Sequence, residues 1–157
     1  MRLEFVDRHD PIWEVAPLRW DQGLMLGNGD MGAVIWGDGN PLKITLDKQD
    51  IWEHRHRDPF SDPRFNYRTL RELIGRERYE EAYEVFEGQF RDGGPYPTRL
   101  PLGRVEVEFG GRTVGFTARL SLRDALALGT LRLEDGRKVG FRAFVHSGRN
   151  LLVLELR

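Results

Sequence analysis

Residues 23–52 read GLMLGNGDMGAVIWGDGNPLKITLDKQDIW, and the pattern in this stretch decides the fold. Gly23, Gly27, Gly29 and Gly32 crowd its first third. Glycine at that density marks backbone that needs positive φ or close approach by another segment, and Gly27-Asn28-Gly29-Asp30 is strong turn chemistry. A shaped loop is expected there, with positive φ at Gly27, Gly29 or both. Beyond it, Ala33-Val34-Ile35-Trp36 reads as a buried strand with Trp36 in the core. Leu42, Ile44 and Leu46 then alternate with Lys43, Thr45 and Asp47, the period of two expected of a half-buried strand. Gly37-Asp38-Gly39-Asn40-Pro41 between them is a hairpin loop.

Working outward, residues 1–22 hold a short apolar run, Leu3–Val6, and then Trp13 and Trp20 among Asp-Pro and Ala-Pro steps. An edge strand and extended chain are expected there. After Trp52 the polar stretch EHRHRDPFSDPRFNYR carries two Asp-Pro steps, which disfavour helix. Thr69–Ile74 can start a helix, and Tyr79, Ala82, Tyr83, Phe86 and Phe90 recur at helical spacing. A helical insertion over about 67–91 is expected, closed by Gly93-Gly94-Pro95-Tyr96-Pro97.

The remainder reads as strands. Val105, Val107 and Phe109 alternate with charged residues, and Gly110-Gly111 predicts a two-residue hairpin turn into Val114, Phe116, Ala118 and Leu120. Asp135-Gly136 predicts another hairpin, between Leu131–Leu133 and the alternating Val139, Phe141, Ala143 and Val145. Leu151–Leu156 is apolar on both faces, a pattern that predicts a strand covered on both sides or flanked by more strands. Repeated hairpins around one helical insertion give a mainly β chain: an antiparallel β-sandwich, complete or awaiting further strands.

At 157 residues the chain is about one domain long, and residues 1–157 are read as that domain. Its 24 lysines and arginines against 25 acidic residues leave a formal charge of −1. That balance gives no footprint for nucleic acid or an anionic membrane. No cysteine is present, so disulfides and thiolate metal sites are excluded. The first ten residues lack the apolar core of a signal peptide, and no run reaches the ~20 apolar residues of a membrane-spanning helix. A cytoplasmic protein is expected for the chain as it stands.

Gly27, Gly29 and Gly32 spell G-x-G-x-x-G, but in dinucleotide-binding folds that motif must open a helix, and here a strand follows. The protein-kinase glycine loop lies between strands, and Lys43 and His56-Arg57-Asp58 extend the likeness. A kinase catalytic loop then needs an asparagine where this chain has Pro63, and no Asp-Phe-Gly metal motif occurs. His54 and His56 form an H-x-H pair, yet Arg55 and Arg57 between and beside them oppose a cation, so no metal or cofactor is expected. His9 and His146 read as structural. Trp13, Trp20 and Trp52 sit in loop contexts where an indole packs on the fold or stacks on a sugar.

Asp47, Asp50 and Glu53 permit a catalytic reading, because glycoside hydrolysis needs two carboxylates roughly 5–9.5 Å apart. The competing reading is that Asp47 and Asp50 fix the turn after the strand by accepting nearby backbone N–H groups.

These residues resemble a known family. W-x-x-G-L-x-L-G-N-G-D-M-G-A-V-I-W-G at 20–37, followed by L-x-I-T-L-D-K-Q-D-I-W at 42–52, is similar to the start of α-L-fucosidase-type enzymes of glycoside hydrolase family 95 and their relatives. The family's A-L-P-x-G-N-G-x-L-G-A is changed at Met25 and Met31, and its L-N-E-D-T-L-W becomes Leu46–Trp52. The helix at Tyr79–Ala82, the Tyr96–Gly103 stretch and the Phe141–Ser147 strand fit the same pattern in order.

The resemblance implies an N-terminal β-sandwich that precedes a helical barrel bearing the catalytic acid and base. No catalytic residue is then carried over to this chain. Asn28, Asp47, Asp50 and Trp52 are implied to shape the rim of a substrate pocket or the interface with the barrel. The implied partners are that C-terminal helical catalytic domain and an oligosaccharide. A free-standing carbohydrate-binding or protein-interaction module using the Trp52 loop is the alternative, and a self-contained hydrolase the third reading.

Overall fold

The computed structural model describes residues 4–54, 62–88 and 97–157. The chain divides into two compact units, residues 1–51 with 100–157, and residues 52–99.

The first unit is an antiparallel β-sandwich. One sheet is built from β2 (Leu24–Gly27), β3 (Met31–Trp36), β4 (Leu42–Lys48) and β7 (Gly103–Val107), in that order. The other holds β1 (Ile12–Trp13), β8 (Thr113–Ser121), β9 (Leu126–Leu133), β10 (Lys138–Val145) and β11 (Leu152–Leu156). Alternation decides which residues meet between them. In the four-stranded sheet Leu24, Ile35 and Ile44 lie side by side in register, as do Leu26, Ala33 and Leu46. These side chains form one core cluster with Phe116, Ala118, Ala127, Leu131, Phe141 and Ala143 of the five-stranded sheet. Complete burial of a Leu or Ile side chain contributes about 1.5–3 kcal/mol, and Leu24, Ile35, Leu42, Ile44, Leu131 and Leu133 are all at or below 1% exposure.

The turns obey their glycines. Gly29 has φ +93° in the tight β2–β3 turn, while Gly27 sits in β2 opposite Gly32 with no left-handed φ, so one of the two expected positions carries the strain. In the β3–β4 loop Gly39 has φ +90°, and a Cβ there would lie 2.2 Å from the Leu131 side chain. That loop is pressed on the core, and only glycine fits.

Several expectations are corrected. Glu4–Asp7 is a short helix, α1, and the edge strand is instead β1, whose Ile12 and Trp13 pair with Arg119 and Ala118. Trp36 is not core: it follows buried Ile35 by one residue and so faces outward, half-buried. Its indole N–H donates to Thr45 Oγ1 at 2.9 Å, and Lys43 Nζ and Arg104 Cζ lie 4.8 and 5.7 Å from its ring. Gly110-Gly111 does not close a hairpin, because β7 pairs with β4 while β8 pairs with β9 and β1; the glycines carry the chain from one sheet to the other. Among the described residues β11 pairs with β10 alone and forms an edge, half-buried, with Leu152 and Leu154 packed on the core.

The second unit contains α2 (Tyr67–Gly75) and α3 (Tyr79–Phe86), and a two-residue ladder of β5 (Trp52–Glu53) with β6 (Thr98–Arg99). Asn66 caps α2 by accepting the Thr69 N–H at 3.0 Å. Of the expected stripe on α3, Ala82 is buried and Tyr83 and Phe86 are half-buried, while Tyr79 is exposed; Val85, outside the stripe, is buried with them. Phe86 meets Phe65 with ring centroids 5.0 Å apart. Phe90, His56 and Gly93–Tyr96 lie outside the described residues.

Candidate functional site

The glycine-rich motif builds one end of the sandwich, where the β2–β3 turn, the end of β4 and the β10–β11 loop converge. Asn28 is the joint. Its side-chain oxygen accepts the N–H groups of Asp30 and Met31 at 3.0 and 2.8 Å, which fixes the turn. Its amide nitrogen donates to the carbonyls of His146 and Arg149 at 2.9 and 3.1 Å, across the sandwich. One side chain thus ties a hairpin of each sheet together. Asparagine alone supplies this combination, since aspartate has no donor and serine too short a reach.

Asp30 continues the tie. One carboxylate oxygen accepts from Lys48 Nζ at 3.1 Å and the other from Asn150 Nδ2 at 2.6 Å. These bonds, Asn150's first and Lys48's second, hold the Asp30 carboxyl below its ordinary pKa. Lys48 also bonds Asp50 at 2.6 Å, and its ammonium pKa is raised, by Asp50 first and then Asp30.

Of the residues expected from sequence, Asn28 and Asp50 therefore enter this network directly. Asp47, within β4, accepts the N–H of the next residue, Lys48, at 2.8 Å. Asp50 enters through the Lys48 ammonium, with its side chain 65% exposed. Trp52 belongs to the second unit, where it pairs with Arg99 and is 40% exposed. Asp30, Lys48 and Asn150 were not singled out by sequence. Asn150 is separated from Asp30 by 120 positions, and no local pattern announces such a pair.

Other candidates resolve separately. Trp13 packs against the core and donates its indole N–H to the Gln22 carbonyl at 2.8 Å, while Trp20 is 64% exposed. His146 accepts the Gly148 N–H on Nδ1 at 3.0 Å, closing its own loop. Among the described residues no group of three or more His, Asp or Glu is placed to hold a metal ion.

Chemically the cluster is a clasp. Its polar groups satisfy one another, and its carboxylate with a displaced pKa, Asp30, is displaced downward; a general acid working near neutral pH needs the reverse.

Comparison with known proteins supplies the family. The model of the glycosyl hydrolase family 65 N-terminal domain matches residues 12–157. No curated protein matches the chain.

Proposed function

The chain belongs to the glycosyl hydrolase family 65 N-terminal domain family, and with that as premise we propose that it is a non-catalytic β-sandwich serving a glycoside hydrolase that acts on oligosaccharides. The match across residues 12–157 carries the reading. The pairing of Asp30 and Asp50 with Lys48 supports it, because the Asp30 carboxyl is held below its ordinary pKa, the reverse of what a general acid needs. In this reading Asn28, Asp47, Asp50 and Trp52 border the substrate pocket or the interface with a helical catalytic domain. The finer assignment, α-L-fucosidase-like specificity, rests on the motif resemblance at 20–37 and 42–52 alone.

Two assays on the purified chain test the reading. Aryl glycosides, aryl fucosides among them, are expected to release no nitrophenol. Calorimetry with neutral oligosaccharides is expected to show no binding. Binding without turnover would make the chain a carbohydrate-binding module instead. Turnover abolished by Asp50→Asn would make it a self-contained hydrolase.

A further inference from the structure

The outer face of the five-stranded sheet is unlike the rest of this nearly neutral chain. Strand alternation turns Arg119 of β8, Arg132 of β9, Lys138 and Arg142 of β10 and Arg157 beyond β11 to that one side. Two of these cations are satisfied locally: Arg119 bonds Asp10 at 2.7 Å, and Arg157 bonds Glu155 at 2.8 Å. Arg132, Lys138 and Arg142 make no ion pair among the described residues. Glu155 stands opposite Arg142 in register but is drawn to Arg157, and Glu14 borders the same hollow as Arg132 and Lys138 without pairing with either.

The arrangement is unfavourable in the chain by itself. Arg132 and Lys138 are direct cross-strand partners, and like charges in that relation repel. The Arg132 guanidinium also lies close over Gly115, where a Cβ would come 3.1 Å from it, so the glycine gives it room to spread across the neighbouring strand. Three shallow hollows of about 380, 480 and 490 Å³ lie on this sheet, bordered by the same cations together with Thr117, Thr130, Leu128 and Ile12.

We propose that this face is a docking surface for a carboxylate-rich surface of another polypeptide. Charge complementarity names the partner: unpaired arginines present planar forks that take carboxylates two bonds at a time, and a bound acid would relieve the Arg132–Lys138 repulsion. Exposed Leu128 and Ile12 supply the apolar contact that protein interfaces add to such charges. The aromatic side chains bordering the hollows, Phe116 and Phe141, are buried at 6% and 4% exposure. No ring bordering the hollows is free to stack on a sugar, and Phe144, which alternation turns to the same face opposite Val153, is itself half-buried, which sets a glycan ligand behind a polypeptide. The proposal is independent of the catalytic reading and survives its failure.

The test is a titration of the isotope-labelled full chain with short poly-L-glutamate, followed by backbone amide shifts. The expected result is movement of amides in β9 and β10, weakened about tenfold or more in Arg132→Glu/Lys138→Glu and suppressed by salt. Lys138→Arg should retain binding, and Arg104→Glu, on the outer face of the other sheet, should leave it unchanged. Dispersed spectra of every variant establish that each is folded. Titration curves unaffected by the double reversal overturn the proposal. So does binding at this face by heparin or phosphatidylserine vesicles with none by poly-glutamate, and so does failure of all three probes to bind.

Discussion

The two outer faces of the sandwich carry similar side chains and treat them in opposite ways. On the four-stranded sheet Arg104 bonds Glu106 at 2.8 Å and, with Lys43, stands over the Trp36 ring. There Glu106, the cross-strand neighbour of Lys43, goes to Arg104, and Lys43 rests on the indole instead. On the five-stranded sheet Arg132, Lys138 and Arg142 share a side and make no ion pair among the described residues. A face that satisfies its own charges gains local stability and offers little to a partner, whereas one that leaves them unpaired keeps its electrostatic energy for binding. The same contrast shows what a net charge of −1 conceals: the total is balanced, but its distribution over the two faces is not.

The largest effect is expected where the faces are tied together. Asn28→Ala removes four hydrogen bonds and takes the Asn28 acceptor from the Asp30 and Met31 N–H groups, while the His146 and Arg149 carbonyls keep backbone donors, so a loss of roughly 1–3 kcal/mol is expected in chemical denaturation. A loss below about 0.5 kcal/mol would mean that Asn28 does not tie the sheets together.

Next comes a direct test of the four-stranded sheet's outer face. Trp36→Ala deletes a half-buried ring, its bond to Thr45 and both cation contacts, and about 2 kcal/mol should be lost. Leu128→Ala on the other outer face should cost less than about 1 kcal/mol, since Leu128 is 37% exposed. Equal costs would erase the distinction between the faces.

Acid titration sharpens the comparison further. Asp30 has a folded pKa below its ordinary value of 3.8, so its contribution is present above that value and is lost as pH falls through the depressed folded pKa. Asn150→Ala removes the largest cause of the depression. The variant is expected to lose stability near neutral pH and then to decline less steeply than the parent below about pH 4. Parallel stability curves for the two proteins would show that Asn150 does not set the Asp30 titration.

The smallest effects should differ in sign. Lys138→Glu turns a like-charged cross-strand pair into an opposite one and should stabilise by a few tenths of a kcal/mol, up to about 1. Arg104→Glu breaks a satisfied pair and should destabilise by a similar amount. Two shifts of the same sign would refute the account of the two faces.

What sequence made legible was local. The alternation at 42–46 and 139–145, the loop around Gly37–Asn40 and the Asp135-Gly136 hairpin were readable because their partners lie close along the chain. Trp36 was misplaced because a run apolar on both faces has no readable phase. The β8–β9 turn was missed for another reason: Leu122–Ala125 has no glycine, although Ala125 takes φ +51°, so no turn residue marks it. Within the candidate site, turn chemistry disclosed Asn28, but Asp30, Lys48 and Asn150 become a network only when distant loops meet.

Strands β4 and β7 are antiparallel neighbours, with Leu46 opposite Gly103, so in polymer terms residues 52–99 are the loop of a very long hairpin. Relative to a two-residue turn, a loop of that length adds roughly 2–3 kcal/mol of closure entropy to the folding of the sandwich. The β5–β6 ladder and the Leu100 N–H bonded to the Ile51 carbonyl hold the loop's two ends side by side. A sandwich in which Asn-Gly replaces residues 52–99 should therefore fold, and should resist denaturant at least as well as the parent. The insertion is then something the sandwich carries at an entropic cost, and whatever it does for the protein lies outside the stability of the fold.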